Sequence, residues 1–348
     1  MTNTRDTADH INEVPTIEAN IASNTTQLAR GNNHGKNLII NGDFQEDCWQ
    51  RGTSDTLTTT ETYLPDRWYA VNSTASTITL TQQAFTAGQT DVPNNPKYFY
   101  RMSWLGTGGA TSPQTGTRLE DVTKLSGDEV TLSYHAKTGT DFDVEVYVVQ
   151  NFGTGGSPSS EVVTLIDTES ITSSWTKFED TFTIPSVSGK TLGTNGDDYT
   201  EIRFLRNAGT AAGDLDISNV QLEFGDTATD FEYVNPADQL ARCQRYFERI
   251  KTVGGSIHLN GGYAESSTEA QFNVTYTTKL QLPTLSASSS SALSITKTGA
   301  TVAGTAVGFG LGGLTSSRCT VTTSGLTTGQ GISGLLLSGE YIDIDAEL

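Results

Sequence analysis

Histidine, cysteine and basic residues are all scarce in this chain, and each scarcity removes a class of function. The four histidines, His10, His34, His135 and His258, lie far apart with no i,i+4 pair, so they offer no histidine-based zinc motif. Cys48, Cys243 and Cys319 are odd in number and widely spaced. They form neither a metal-binding spacing nor a disulfide framework, and read as small buried hydrophobes of a reducing compartment. Lys and Arg number 21 against 40 Asp and Glu, giving a net charge of −19 that repels phosphate backbones and argues against a nucleic-acid partner. No apolar run suits a signal-peptide core or a membrane span, so membrane insertion is not expected, and the reading is a soluble protein made in a cytoplasm.

Catalytic motifs are missing as well. There is no Gly-x-Ser-x-Gly elbow and no HExxH. Gly308-Phe309-Gly310-Leu311-Gly312-Gly313 has phosphate-loop glycines, but Ser, Thr and a β pattern follow where a helix N-terminus would have to stand. A pair of glycosidase carboxylates stays open, because their separation in space is not written in the sequence. The expectation is a protein that is not an enzyme.

What the chain does contain is Thr, Ser and Gly, a mixture suited to strands joined by many turns. Between Lys36 and about Glu232 the hydrophobic period is two. Tyr98, Tyr100, Met102 and Trp104 alternate with Phe99, Arg101 and Ser103, and Val130, Leu132, Tyr134 and Ala136 form a similar run. Phe142, Val144, Val146 and Val148 do the same, and further strands are expected at Phe178–Ile184, Ile202–Leu205 and Leu215–Phe224. Short strands with one buried face indicate an antiparallel sandwich. Ahead of it, residues 15–30 read as a helix starting at Pro15 and stopping at Gly31. Val14, Ile17, Ile21 and Leu28 lie on an a/d seam with Asn24 at a d position, which fits either a short coiled coil or one helix docked on its own sandwich.

Asn235 caps a second expected helix, with Pro236 at its first position and Leu240, Cys243, Phe247 and Ile250 as its apolar stripe. Arg242, Arg245, Arg249 and Lys251 would then neutralise its C-terminal end. Residues 252–348 return to strands with little bulk, a meagre core that self-association would supplement. The organisation expected is therefore mainly β: residues 1–35 an attachment arm with a short coiled-coil helix, 36–235 a jelly-roll sandwich, 236–251 a linking helix, and 252–348 a C-terminal β knob.

Trp49, Trp68, Trp104 and Trp175 fall where core packing is the default. Tyr147 and Trp175 lie out of phase with their apolar neighbours and are the candidate glycan platforms. Asp43 and Asp216, near the first and last strands, are candidate ligands for a structural Ca2+, with turn capping as the competing reading.

The run Asn37-Leu38-Ile39-Ile40-Asn41-Gly42-Asp43-Phe44 resembles the opening strand of jelly-roll carbohydrate-binding modules, and Leu215–Gly225 followed by Thr227–Glu232 resembles its closing partner. Together with Trp49-Gln50-Arg51-Gly52, Asp66-Arg67-Trp68, Cys243-Gln244-Arg245-Tyr246-Phe247 and the Gly-rich tail, the ordered set resembles tail-fibre and related virion fibre proteins of tailed bacteriophages. That resemblance implies a homotrimeric virion component, assembled through Val14, Ile17, Ile21, Asn24 and Leu28, that recognises a host surface glycan or protein. Gln45 stands where the modules often carry Glu, a departure from the usual Ca2+ site. Only about 35 residues precede the sandwich, which points to docking on another virion protein, a tail adaptor or the capsid, through residues 1–35. A capsid-attached head fibre or decoration protein is the alternative to a tail fibre, and a glycan depolymerase the second alternative.

Overall fold

The computed structural model describes residues 35–57, 61–72, 77–105, 113–206 and 211–348. The seam residues Val14, Ile17, Ile21, Asn24 and Leu28 lie outside the described residues. The described chain is mainly β and divides into two units, the first running to Gln239 and the second spanning Leu240–Glu347.

The strands of the first unit, in chain order, are β1 (Ser54–Leu57), β2 (Thr62–Tyr63), β3 (Trp68–Asn72), β4 (Ile78–Ala84), β5 (Tyr98–Trp104) and β6 (Pro113–Glu120). They continue with β7 (Glu129–Lys137), β8 (Phe142–Asn151), β9 (Val162–Ile171), β10 (Thr176–Thr183), β11 (Tyr199–Arg206) and β12 (Gly213–Phe224). They form two antiparallel sheets, β1-β4-β5-β12-β7-β10 and β2-β3-β6-β11-β8-β9. The period-two runs decide this arrangement, because alternate side chains leave opposite faces of a strand. Val130, Leu132, Tyr134 and Ala136 of one sheet and Val144, Val146 and Val148 of the other enter the same core. Phe44, Trp49, Trp68 and Tyr100 fill its aromatic centre, with Phe44 5.1 Å from Trp68 and 5.6 Å from Tyr100. Trp49, Trp68 and Trp104 are core residues, the default expected of them.

Asn37–Phe44, expected as the opening strand, is a turn-rich segment lying along β12. Leu38 donates to Leu222 O at 2.9 Å and Val220 donates to Gly42 O at 2.9 Å. The Asn37 amide replaces ladder bonds: its Nδ2 donates to Val220 O, and its Oδ1 accepts from the Ile39 and Leu222 amides. Asn41 has φ 60°, and a Cβ on Gly42 would lie 2.0 Å from Val220 O, so a glycine is required at this approach. The motif residues interlock around this turn. Asn41 Nδ2 donates to Asp66 O at 3.0 Å, Trp68 Nε1 donates to Asn41 O at 3.0 Å, and Gln50 Nε2 donates to Asp66 Oδ2 at 2.8 Å.

The expected helix over 236–251 is shorter: α1 spans Pro236–Gln244, and β13 (Phe247–Lys251) follows directly. Aromatic and β-branched residues at Phe247 and Ile250 favour a strand once a partner exists. That partner is the C-terminal strand β22 (Tyr341–Asp345), where Glu248 opposes Ile344 and Ile250 opposes Ile342. Arg249 accordingly leaves the helix terminus and grips Asp343 at 2.6 and 2.7 Å while lying over the Tyr341 ring.

Between them run β14 (Ile257–Ala264), β15 (Glu269–Thr275), β16 (Thr284–Ala287), β17 (Leu293–Lys297) and β18 (Ala300–Ala303), then β19 (Ala306–Gly310), β20 (Ser316–Thr322) and β21 (Gly331–Leu336). They build a three-stranded sheet, β13-β22-β16, and a seven-stranded sheet, β18-β17-β21-β14-β15-β20-β19. Their core is Phe272, Val274, Leu293, Ile295, Cys319, Val321, Leu336, Ile342 and Ile344. The Gly308–Gly313 run is part of edge strand β19 and the turn after it, with strand β20 rather than a helix following. Among the described residues, no helix is long and apolar enough to cross a membrane.

Candidate glycan-binding face

The second sheet of the sandwich turns one face to the core and the other outward. Its registers align one outward row across six strands: Tyr63, Tyr69, Gly116, Arg203, Tyr147 and Leu165. The next row holds Arg118, Glu201, Val149 and Val163. Tyr147 is on this face for the reason its phase suggests, since Val146 and Val148 on either side of it enter the core. Leu165 directly opposite and Val163 beside it are both 49% exposed, so the β8–β9 part of the face is an accessible apolar strip.

Polar groups frame that strip and are themselves fixed. Glu201 is buried and accepts hydrogen bonds from Tyr69 Oη (2.6 Å), Arg203 Nε (2.6 Å) and Arg118 Nε (3.2 Å). This arrangement sets the Arg203 guanidinium beside Tyr147. Burial, then the Glu201 charge, hold the Tyr69 phenol well above its ordinary range. Gly116 makes the packing possible, because a Cβ there would sit 3.1 Å from the Tyr69 ring and 2.5 Å from Ile202 O. Arg118 also spans the Tyr69 and Tyr199 rings at 4.6 and 4.7 Å and bonds Glu61. Tyr147 Oη donates to Glu145 at 2.6 Å, a bond that raises the phenol pKa and leaves the ring face uncovered by it. An aromatic face flanked by a guanidinium and carboxylates is chemistry suited to a sugar ring and its hydroxyls.

Trp175, the other candidate platform, is not brought to this face. It lies beyond β9 in the turn to β10, within an aromatic group with Phe85 and Phe99, each 5.2 Å away, and Lys137 Nζ stands 5.1 Å over its ring. It is half-buried on the outer side of the first sheet.

The two candidate calcium ligands have different surroundings. Asp216, on β12, accepts two 2.6 Å bonds from Arg101 and has Lys137 at 3.8 Å, so cations already occupy its oxygens. Asp43 accepts from Gln45 Nε2 at 2.8 Å, and burial raises its pKa. It lines a pocket of about 250 Å³ with Asn94, Asn95, Tyr98, Asn219 and Tyr233. This pocket was not legible in the sequence. Its loops meet through Asn219 Nδ2 to Pro93 O and Asn94 Nδ2 to Phe231 O, joining positions more than a hundred residues apart.

No protein-family model and no curated protein matches the chain. Among solved structures, similar ones include the family 11 carbohydrate-binding module from Clostridium thermocellum in complex with a β-1,3-1,4-mixed-linked tetrasaccharide. That match has 14% identity and a TM-score of 0.32, covering 51% of this chain and 98% of the module. The module TmCBM61 in complex with β-1,4-galactotriose matches at 10% identity and TM-score 0.31, over 55% of this chain and all of that one. The enzymatically active domain of bacteriophage CBA120 tailspike protein 4 matches at 14% identity and TM-score 0.34, over 54% of this chain and 21% of that one.

Proposed function

We propose that this chain is a glycan-recognising structural protein of a bacteriophage virion, whose sandwich binds host surface carbohydrate on the Tyr147 face. The observation that carries the reading is the outward row of the second sheet. It combines an accessible apolar strip, Tyr147 with Leu165 and Val163, with an Arg203 held in place by buried Glu201. The resemblance of the ordered motifs to those of phage fibres supports the virion assignment and a tail fibre, with attachment through residues 1–35 and a homotrimer as the assembled form. A capsid-attached fibre uses the same binding face and differs only in its anchor.

Binding without cleavage is part of this proposal. A glycoside-cleaving pair needs one carboxyl free to hand a proton to the leaving oxygen. On this face Glu201 accepts from three donors and Glu145 accepts from Tyr147.

The test is retention of the full chain by bacterial envelope polysaccharides in affinity electrophoresis, alongside Tyr147→Ala. We expect wild-type protein to be retarded by at least one polysaccharide, the variant to run freely, and no reducing ends to appear. Equal retardation of the variant would remove the assignment to this face, and release of reducing ends would favour the depolymerase.

A further inference from the structure

The two sheets end on the same side of the sandwich in consecutive strands, β9 closing one sheet and β10 the other. At this open seam the inward rows stop being apolar. On β10, Asp180 stands between Phe178 and Phe182 in the row that faces the core, opposite Leu132. On β9, Asp167 and Glu169 oppose Val146 and Val144, so both carboxylates also belong to the inward row. One oxygen from each of Asp167, Glu169 and Asp180 lies within 4.8 Å of the other two.

Among the described residues no salt bridge reaches these three carboxylates; Lys177, on the same strand as Asp180, pairs with Glu179 instead. Asp180 is only 6% exposed, and its Oδ2 is buried without a hydrogen-bond partner. A second buried group is left open beside it. Tyr134, 1% exposed and stacked on Phe178, has an unpartnered Oη, and its pKa is raised by burial and then by Asp180, Glu169 and Asp167. Burial, then Glu169 and Asp167, hold Asp180 well above the usual carboxylate range. Asp180 and Glu169 meet only through a carboxyl–carboxylate hydrogen bond, which requires a proton held between them, and the Tyr134 phenol stays unsatisfied; a cation that replaces that proton would answer all of these groups at once.

The geometry points to a divalent-cation site, Ca2+ by preference, formed by Asp167, Glu169 and Asp180 and clamping the edge strands β9 and β10 together. Every donor is oxygen, which selects a hard cation over zinc or copper. Ligands from two strands across a seam suit the adaptable coordination of Ca2+ better than the rigid octahedron of Mg2+, and exposed Asp167 leaves a side open for water ligands. The inference is independent of glycan binding.

The full chain, dialysed against chelator and then into metal-free buffer, is titrated with CaCl2 alone by calorimetry and by thermal unfolding. Asp180→Asn and the exposed Asp167→Asn are run in parallel. Wild-type protein should bind Ca2+ and gain thermal stability, and each variant should lose more than about tenfold in affinity. Without calcium, Asp180→Asn should melt above wild type, because it removes repulsion. The proposal is overturned if wild-type protein shows neither heat nor a melting shift at millimolar CaCl2, or if both variants keep the full calcium response.

Discussion

The sandwich and the C-terminal unit bury their cores with different materials. The sandwich centres on Phe44, Trp49, Trp68, Tyr100, Tyr134 and Phe204, whereas the C-terminal core is built mostly from Val, Leu, Ile and Ala around Phe272. Phe272 is accommodated because Gly334 has no Cβ; one placed there would sit 2.4 Å from the ring. Large rings concentrate burial in a few positions, so the sandwich depends strongly on single side chains. A core of small residues spreads its burial and leans on polar pairs such as buried Lys279, whose Nζ donates to Glu248 (2.8 Å), Thr277 (3.0 Å) and Gln244 O (2.5 Å).

All four tryptophans belong to the first unit, so tryptophan fluorescence follows the sandwich alone. Trp68→Ala should have the largest effect, about 3–5 kcal/mol of lost sandwich stability, seen as an early fluorescence transition. A small effect would mean that the aromatic centre is not the keystone. In the C-terminal unit, Glu248→Gln should cost about 2–3 kcal/mol by stranding the Lys279 charge, while Lys279→Met should cost less than about 1 kcal/mol. Circular dichroism melting would show this ordering, and the reverse would contradict the account of Lys279.

Acid should sharpen the contrast. His135, buried on β7 with Nδ1 unpartnered, has its pKa lowered from 6.5 to about 4 by burial and then by the Lys177 charge. A histidine that resists protonation when folded contributes stability present above pH 6.5 and lost as pH falls towards 4. Asp180, whose pKa is raised to about 7, acts in the opposite direction in both proteins, so the test is the difference: between pH 6.5 and 4 the fluorescence melting point of wild-type protein should drop relative to that of His135→Gln. Parallel curves for the two proteins would assign the acid sensitivity elsewhere. Tyr147→Ala should have the smallest effect on stability, under about 1 kcal/mol, because its ring is on the outward face. A large loss there would make Tyr147 a structural residue.

The period-two runs made β5, β7, β8, β10, β11 and β12 legible, and phase alone identified Tyr147 as facing away from the core. The segment Asn37–Phe44 looks like a strand in sequence because Asn37 and Gly42 mimic strand pairing through a side chain and a close backbone approach, both of which depend on β12 being present. Helix α1 looks longer in sequence than it is because Cys243, Phe247 and Ile250 keep a helical stripe; pairing with β22, almost a hundred residues later, overrides it. The Asp167, Glu169 and Asp180 cluster had a local signal in Asp180, an acid in phase with Phe178 and Phe182. Its partners are visible only once the two edge strands meet.

Hydrogen–deuterium exchange on the full chain, with and without an oligosaccharide from a retarding polysaccharide, tests the central claim most directly. The account predicts protection confined to peptides covering β8, β9 and β11. Protection in the C-terminal unit, or around the Asp43 pocket with the Tyr147 face unchanged, would contradict it.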